Sequence, residues 1–169
     1  KLTAYAAEIS VDRIEITPTP VAYQAVPDQT FEYALIKHGY QYRKREFTSI
    51  APLQGTREDI RVRLPQKTRA DVRQALGAGI EIQWADHPSD AGLKVMYDML
   101  LANRADLGLC GSPTHSLAEL QLIRDRLPGM LSLGTAQFEG RTVASTLVFR
   151  CNSRGLLTFY ICHDREARD

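Results

Sequence analysis

The 169-residue chain is short of cysteine, with three, and of tryptophan, with one. Cys110, Cys151 and Cys162 are too few and too odd in number for the disulfide framework of a small secreted fold. No Cys-x-x-Cys pair stands ready for zinc, and His38, His87, His115 and His163 are scattered without ligand spacing, so no metal site is expected. The cysteines read as reduced thiols of a cytoplasmic protein, Cys151 and Cys162 as small hydrophobes within apolar strand-like runs. No apolar run approaches the ~20 residues that cross a bilayer, so no membrane span is expected. Net charge is also nearly missing: 21 Lys and Arg stand against 20 Asp and Glu. That balance excludes a generally basic nucleic-acid or membrane-surface binder. The chain begins at Lys1 without Met and without a charged-then-apolar leader, which reads as an excerpt of something longer.

What is present is ordinary for a globular chain, at 44% hydrophobic and 24% charged. The length suffices for one well-filled core or two small ones. Near-neutrality is a cancellation. Residues 37 to 73 hold ten basic side chains against four acidic, a local +6, whereas residues 74 to 139 hold four basic against eight acidic. Such a face can grip phosphates, or can simply be solvated and ion-paired.

Along the chain, residues 2 to 9 read as the tail of a helix, and Arg13 to Thr17 alternate as a half-buried strand does until Pro18 and Pro20 stop it. Asp28 is the expected N-cap of a short helix carrying Phe31, Ala34 and Leu35, with Gly39 closing it. Tyr40 to Pro52, with Phe47 and Ile50, reads as a second extended run. Gln66 to Gly79 predicts a helix with Val72 and Leu76 on one face and Arg69 and Arg73 on another. Ile80 to Trp84 predicts a strand. Ser89 or Asp90 caps the next helix, whose Leu93, Met96, Tyr97, Leu100, Leu101 and Arg104 keep helical spacing. After a loop with Gly108, Gly111 and Pro113, Ser116 and Glu119 form a capping box for a helix bearing Leu117, Leu120, Ile123 and Leu127. Three strands follow: Met130 to Phe138, Thr142 to Arg150 after a Glu139-Gly140 turn, and Leu156 to Cys162. From Ile80 onward the order is strand, helix, helix, then three strands, an α+β meander.

Several stretches in that order carry a resemblance. Lys67-Thr68-Arg69-Ala70-Asp71-Val72-Arg73-Gln74-Ala75 resembles the basic helix before the second unit of Fem-type peptidyl and aminoacyl transferases. Pro113-Thr114-His115-Ser116-Leu117 with Glu119-Leu120 is similar to the loop and helix start of that group, and Phe138 to Ala144 to its hairpin. Tyr33-Ala34-Leu35, Gly39-Tyr40 and Arg45 to Ser49 are similar to the join between its two units. The chain thus resembles a Fem-like member of the GNAT acyltransferase superfamily. The resemblance implies a mixed sheet with an antiparallel meander flanked by helices, incomplete at both ends. It further implies the end of a first GNAT-like unit over 1–53, a basic connecting segment and helix over 54–79, and the start of a second unit over 80–169.

The activity implied is transfer of an acetyl or aminoacyl group from acyl-CoA, or from aminoacyl-tRNA, to an amine of a small molecule or of a cell-wall or polysaccharide precursor. Such a transfer needs a route for the amine proton and donors that polarise the carbonyl. By resemblance the donors are amides of a splayed fourth strand near Tyr160, Ile161 and Cys162, and Tyr160 protonates the leaving group. His115 is an imidazole, a side-chain type that serves as a base, in a loop position, although it also adjoins the cap Ser116. Arg69 and Arg73 are candidates for a donor phosphate, a tRNA backbone or an anionic acceptor. Arg165 and Arg168 are candidates to flank a donor's pyrophosphate, but no glycine turn follows Cys162. Each has a plain alternative: core aromatic, solvated face, charged tail. A Cys110–His115 or Cys162–His163 nucleophile pair is disfavoured for the second, because neighbours on a strand point to opposite faces. Two other classes remain: a catalytically silent scaffold that kept the fold, and an RNA-binding module using residues 37 to 73, which predicts steep salt dependence. Unpaired strand edges would favour a homodimer or a domain swap.

Overall fold

The computed structural model of the chain describes residues 2–46, 49–109, 111–153 and 155–166. Two compact units divide it, Lys1–Arg45 and Glu46–Asp169. The first holds α1 (Leu2–Glu8), a single 3-10 turn at Val21–Tyr23 and α2 (Thr30–Lys37). Among its described residues only Ala6 is buried, and side-chain pairs lie across its surface. Tyr42 donates to Glu32 at 2.5 Å, and Arg43 pairs with Glu15 at 2.5 Å. Exposed pairs of this kind are worth ~0–1 kcal/mol each.

Two expectations for this region are corrected. Arg13 to Thr17 forms no strand: it alternates but finds no partner strand, and Arg13 and Glu15, on one side, pair with each other at 3.1 Å. The run from Tyr40 to Pro52 likewise enters no ladder among its described residues, and Phe47 lies outside them. Asp28 sits one residue before the N-cap position, which Gln29 occupies. The Asp28 carboxylate nonetheless accepts from the Thr30 amide at 2.8 Å, doing a cap's work from one step away.

The second unit opens with α3 (Arg57–Arg63), which hydrophobic periodicity did not reveal because its apolar residues are too few. A capping box makes it, with the Thr56 hydroxyl accepting from the Asp59 amide and Asp59 reaching back to the Thr56 amide. Next comes α4 (Gln66–Gly77), as expected, but it buries no side chain, and Val72 and Leu76 remain about half exposed.

From there the order matches the reading. β1 (Glu81–Ala85), α5 (Asp90–Asp106), α6 (Leu117–Arg126), β2 (Leu131–Phe138), β3 (Arg141–Asn152) and β4 (Gly155–His163) follow in turn. The strands make one sheet in the order β1-β2-β3-β4, antiparallel at every pairing. The fold is α+β. The mixed sheet expected is replaced by a wholly antiparallel one, since no described connection is a parallel crossover. Glu139 and Gly140 both take positive φ, at 49° and 75°, which suits the right-handed twist of a two-residue hairpin.

One face of the sheet carries the core. Leu93, Met96 and Leu100, at helical spacing on α5, pack with Leu120 of α6 against Leu131, Leu133, Leu147 and Cys162. Burying each such side chain contributes ~1.5–3 kcal/mol. Leu101, expected in this set, is turned outward. On the other face Trp84 of β1 lies across Gly134 of β2, whose missing side chain leaves room for the ring. A Cβ there would stand 2.6 Å from the indole. The indole N–H donates to Asp86 at 2.9 Å, and the same carboxylate oxygen accepts from Arg150 at 2.5 Å and Ser132 at 3.2 Å. That cluster ties the end of β1 to β2 and β3. Arg150 foremost, then the indole N–H, hold the Asp86 carboxyl below the usual aspartate range.

Two outcomes follow from this packing. Gly134→Ala should cost ~1–3 kcal/mol by overpacking, and should change the emission of the single tryptophan, read by urea unfolding and fluorescence. Because Asp86 is depressed in the folded state, its contribution is present above the unfolded aspartate value of ~3.9 and fades as pH falls through the lower folded value. Asp86→Asn should therefore be less stable than wild type at pH 7 yet lose less on acidification, as measured by unfolding midpoints across pH 7 to 2.

Candidate functional site

The loop from α5 to α6 crosses the end of β4, and its local chemistry fixes where it lands. Gly108 at φ +65° and Gly111 at φ +100° supply turns that other residues resist, and the Arg104 Nε donates to the Gly111 carbonyl at 3.3 Å. Pro113 is buried. The Ser116 hydroxyl then accepts from the Glu119 amide at 3.3 Å, and the Glu119 carboxylate accepts from the Ser116 amide at 2.7 Å. These bonds from the Ser116 amide and hydroxyl hold the Glu119 carboxyl below its ordinary range.

The box anchors His115 one residue earlier. Its main-chain N–H donates to the Tyr160 phenol oxygen at 3.3 Å, and its ring Nδ1 lies 3.3 Å from the same oxygen. The two residues proposed from sequence as catalytic, 45 positions apart, are therefore brought together. Phe159 braces them: its ring centroid is 5.2 Å from His115, 4.6 Å from Tyr160 and 4.9 Å, edge-on, from Phe149.

Phe159 is also where the ladder slips. Leu147 faces Tyr160 but Val148 faces Thr158, so Phe159 is an extra residue in β4, a bulge. Two adjacent aromatics can then both pack against the core, as Phe159 and Tyr160 do. The sequence carried a signal for this, a pair of large aromatics breaking the alternation of the run, which the strand assignment passed over.

The remaining residues proposed from sequence are placed as follows. The His163 N–H and C=O both turn away from β3, because each bonds the Asn103 side chain, and the Asp164 N–H turns inward to the Val143 carbonyl at 2.7 Å. Antiparallel alternation then directs the Ile161 main-chain groups to the outer edge and the Cys162 amide to β3. Ile161 keeps its side chain exposed on the uncovered face. The Cys162 thiol is buried, contacts the Met96 carbonyl at 3.4 Å, and is pushed by burial up to about 11, a protonated core group rather than a nucleophile. His163 is exposed and on the opposite face from that thiol. Cys110, the other thiol considered, lies outside the described residues, as does Arg168.

Arg165 is exposed and pairs with Asp106 at 3.4 Å. Arg69 reaches the Val62 carbonyl at 3.5 Å, and Arg73 is exposed on α4. No described hydrogen bond or ion pair joins Arg69, Arg73 or Arg165 to the His115–Tyr160 pair. Asn103 escaped sequence reasoning altogether, since one asparagine on a helix carries no pattern.

Two open concavities lie elsewhere. One of ≈ 440 Å³ is lined by Glu81, Gln83, Gln137 and Glu139, and another of ≈ 320 Å³ by Trp84, Gly92, Val95 and Thr135, both at the β1 side of the sheet. β4 is the opposite edge. The two residues singled out as catalytic meet at β4, beside an edge of the sheet, and the candidate site is placed there. Among the described residues no group of three or more His, Cys, Asp or Glu is gathered for a metal ion, and no helix is long and apolar enough to cross a membrane. No protein-family model matches the sequence, and no match is found among curated proteins.

Ser116→Ala should remove the cap and cost ~1 kcal/mol. It should also loosen the His115–Tyr160 contact, seen as a change in the His115 ring resonances by NMR with β2 and β3 unperturbed.

Proposed function

We propose that this chain carries the transfer face of a Fem-like, GNAT-type N-acyltransferase. It would move an acetyl or aminoacyl group from a thioester or ester donor to an amine on a small molecule or on a cell-wall or polysaccharide precursor. The observation that carries this reading is the meeting of His115 with Tyr160 beside a bulged strand whose outer edge is open at Ile161. The strand-helix-helix order followed by a three-strand antiparallel meander supports the same fold.

In this reading the Ile161 N–H, at an edge with no strand beyond it among the described residues, donates to the carbonyl oxygen where negative charge develops during attack. The phenol oxygen of Tyr160 accepts from the His115 main-chain N–H and, with the ring as the Nδ1–H tautomer, from Nδ1 as well. Both its acceptor positions are then used, and its own proton is left for the departing thiolate or alkoxide. The same tautomer leaves Nε2 of His115 with a lone pair for the amine proton. As the amine nitrogen bonds the carbonyl carbon and the carbon–sulfur or carbon–oxygen bond breaks, His115 gains one proton at Nε2 and passes one from Nδ1 to Tyr160. Tyr160 passes its own to the leaving group, so the protein ends one tautomer away from where it began.

Isothermal titration of the protein with acetyl-CoA, and separately with aminoacyl-tRNA, should show saturable binding of one of them. With the donor so identified, Tyr160→Phe should lower kcat by ~10²–10⁴ while leaving donor affinity within about twofold. Absence of binding to either donor would refute the reading. Binding without turnover on any amine would favour the silent module.

A further inference from the structure

The last residues of β4 are gripped by α5 in two ways. Inward, the Cys162 thiol meets the Met96 carbonyl at 3.4 Å. Outward, Asn103, two turns further along the same helix and half-buried, takes both main-chain groups of His163: Nδ2 donates to the carbonyl at 2.7 Å and Oδ1 accepts from the N–H at 2.9 Å. A carboxamide offers one donor and one acceptor side by side, the pattern a neighbouring strand presents to an edge. Asn103 thus stands in for a strand at residue 163. Two residues back, the outward-facing groups of Ile161 have no such partner among the described residues, and Tyr160 lies between the two positions and the bulge.

We propose that Asn103 is a positioning residue for the transfer site. By clamping His163 it sets where the occupied part of the β4 edge ends, and so holds the Ile161 N–H at a fixed height along the strand. The ladder to β3 and the Asp164 N–H bond to the Val143 carbonyl hold the inner side of the β4 end, but the apolar packing of α5 gives its outer side no direction. Two hydrogen bonds to one residue do. This inference rests on the acyl-transfer reading above for its function, but the clamp itself can be read without it.

The test compares wild type, Asn103→Ala and Asn103→Asp by titration with acetyl-CoA and by the amide resonances of Ile161, His163 and, as a control in the core of β3, Leu147. The alanine variant should keep the Leu147 resonance, move those of Ile161 and His163, and bind acetyl-CoA about tenfold more weakly, the scale of one misaligned hydrogen bond. The aspartate variant keeps an acceptor but opposes the His163 carbonyl with a negative charge at pH 7. Protonated at about pH 3, below the ordinary aspartate range, it regains a donor and an acceptor together. Its Ile161 and His163 resonances should return towards those of wild type at that pH, whereas the alanine variant's should not. If the alanine variant does not fold, the aspartate variant at its two pH values makes the same comparison within one molecule. Unmoved Ile161 and His163 resonances, or wild-type affinity in both variants, would overturn the positioning role. Should wild type itself bind no acetyl-CoA while the resonances respond as described, the choice of donor falls and the clamp stands.

Discussion

Burial of one face of α5 against β3 and β4 is the contact on which the second unit depends. Leu93, Met96 and Leu100 of α5, joined by Leu120 of α6, pack against the inner residues of the sheet, Leu131, Leu133, Leu147 and Cys162. With several such side chains buried, the interface outweighs any single polar interaction on the molecule. It also decides geography. α6 packs on α5, and the loop between them passes over the β4 end of the sheet, where it delivers His115 to Tyr160.

The sheet has two unlike faces. The inner one is apolar beneath α5. The other presents Ile82, Trp84 and Ile161 to the outside, with Trp84 stacked over Gly134 and anchored through Asp86 to Ser132 and Arg150. β4 belongs to both: Cys162 and Tyr160 face inward, Ile161 outward, and the strand's free edge runs between them. A strand in that position can hold side-chain chemistry on its packed side and offer main-chain donors on its rim. The bulge at Phe159 makes this arrangement local, by breaking the regular ladder where the aromatic cluster needs room.

Much of the second unit was legible in the sequence. The α5 stripe, the Ser116 capping box and the Glu139-Gly140 hairpin are local devices, written in residues three or four apart or in a required positive φ, and each stands where expected. The reading failed where local pattern lacked a partner. Arg13 to Thr17 alternate like a strand and are not one, since pairing belongs to two segments rather than to one. Val72 and Leu76 mark a helix face that no described element covers. α3 went unseen because its cap, not its apolar pattern, specifies it.

For the site the division is similar. His115 stood out by residue type and place, an imidazole in a loop before a helix cap, whereas Tyr160 was singled out by the resemblance of its strand. Their contact, the outward turn of Ile161, the inward turn of Cys162 and the hold of Asn103 on His163 link residues 45 to 66 positions apart. Local periodicity carries no information over such separations. Secondary structure follows from short-range propensity and capping, so the sequence by itself determined the elements and their order from Ile80 onward. Which faces meet, and where the ladder slips, depend on the packing of side chains distant in the chain, and only the tertiary structure decided them.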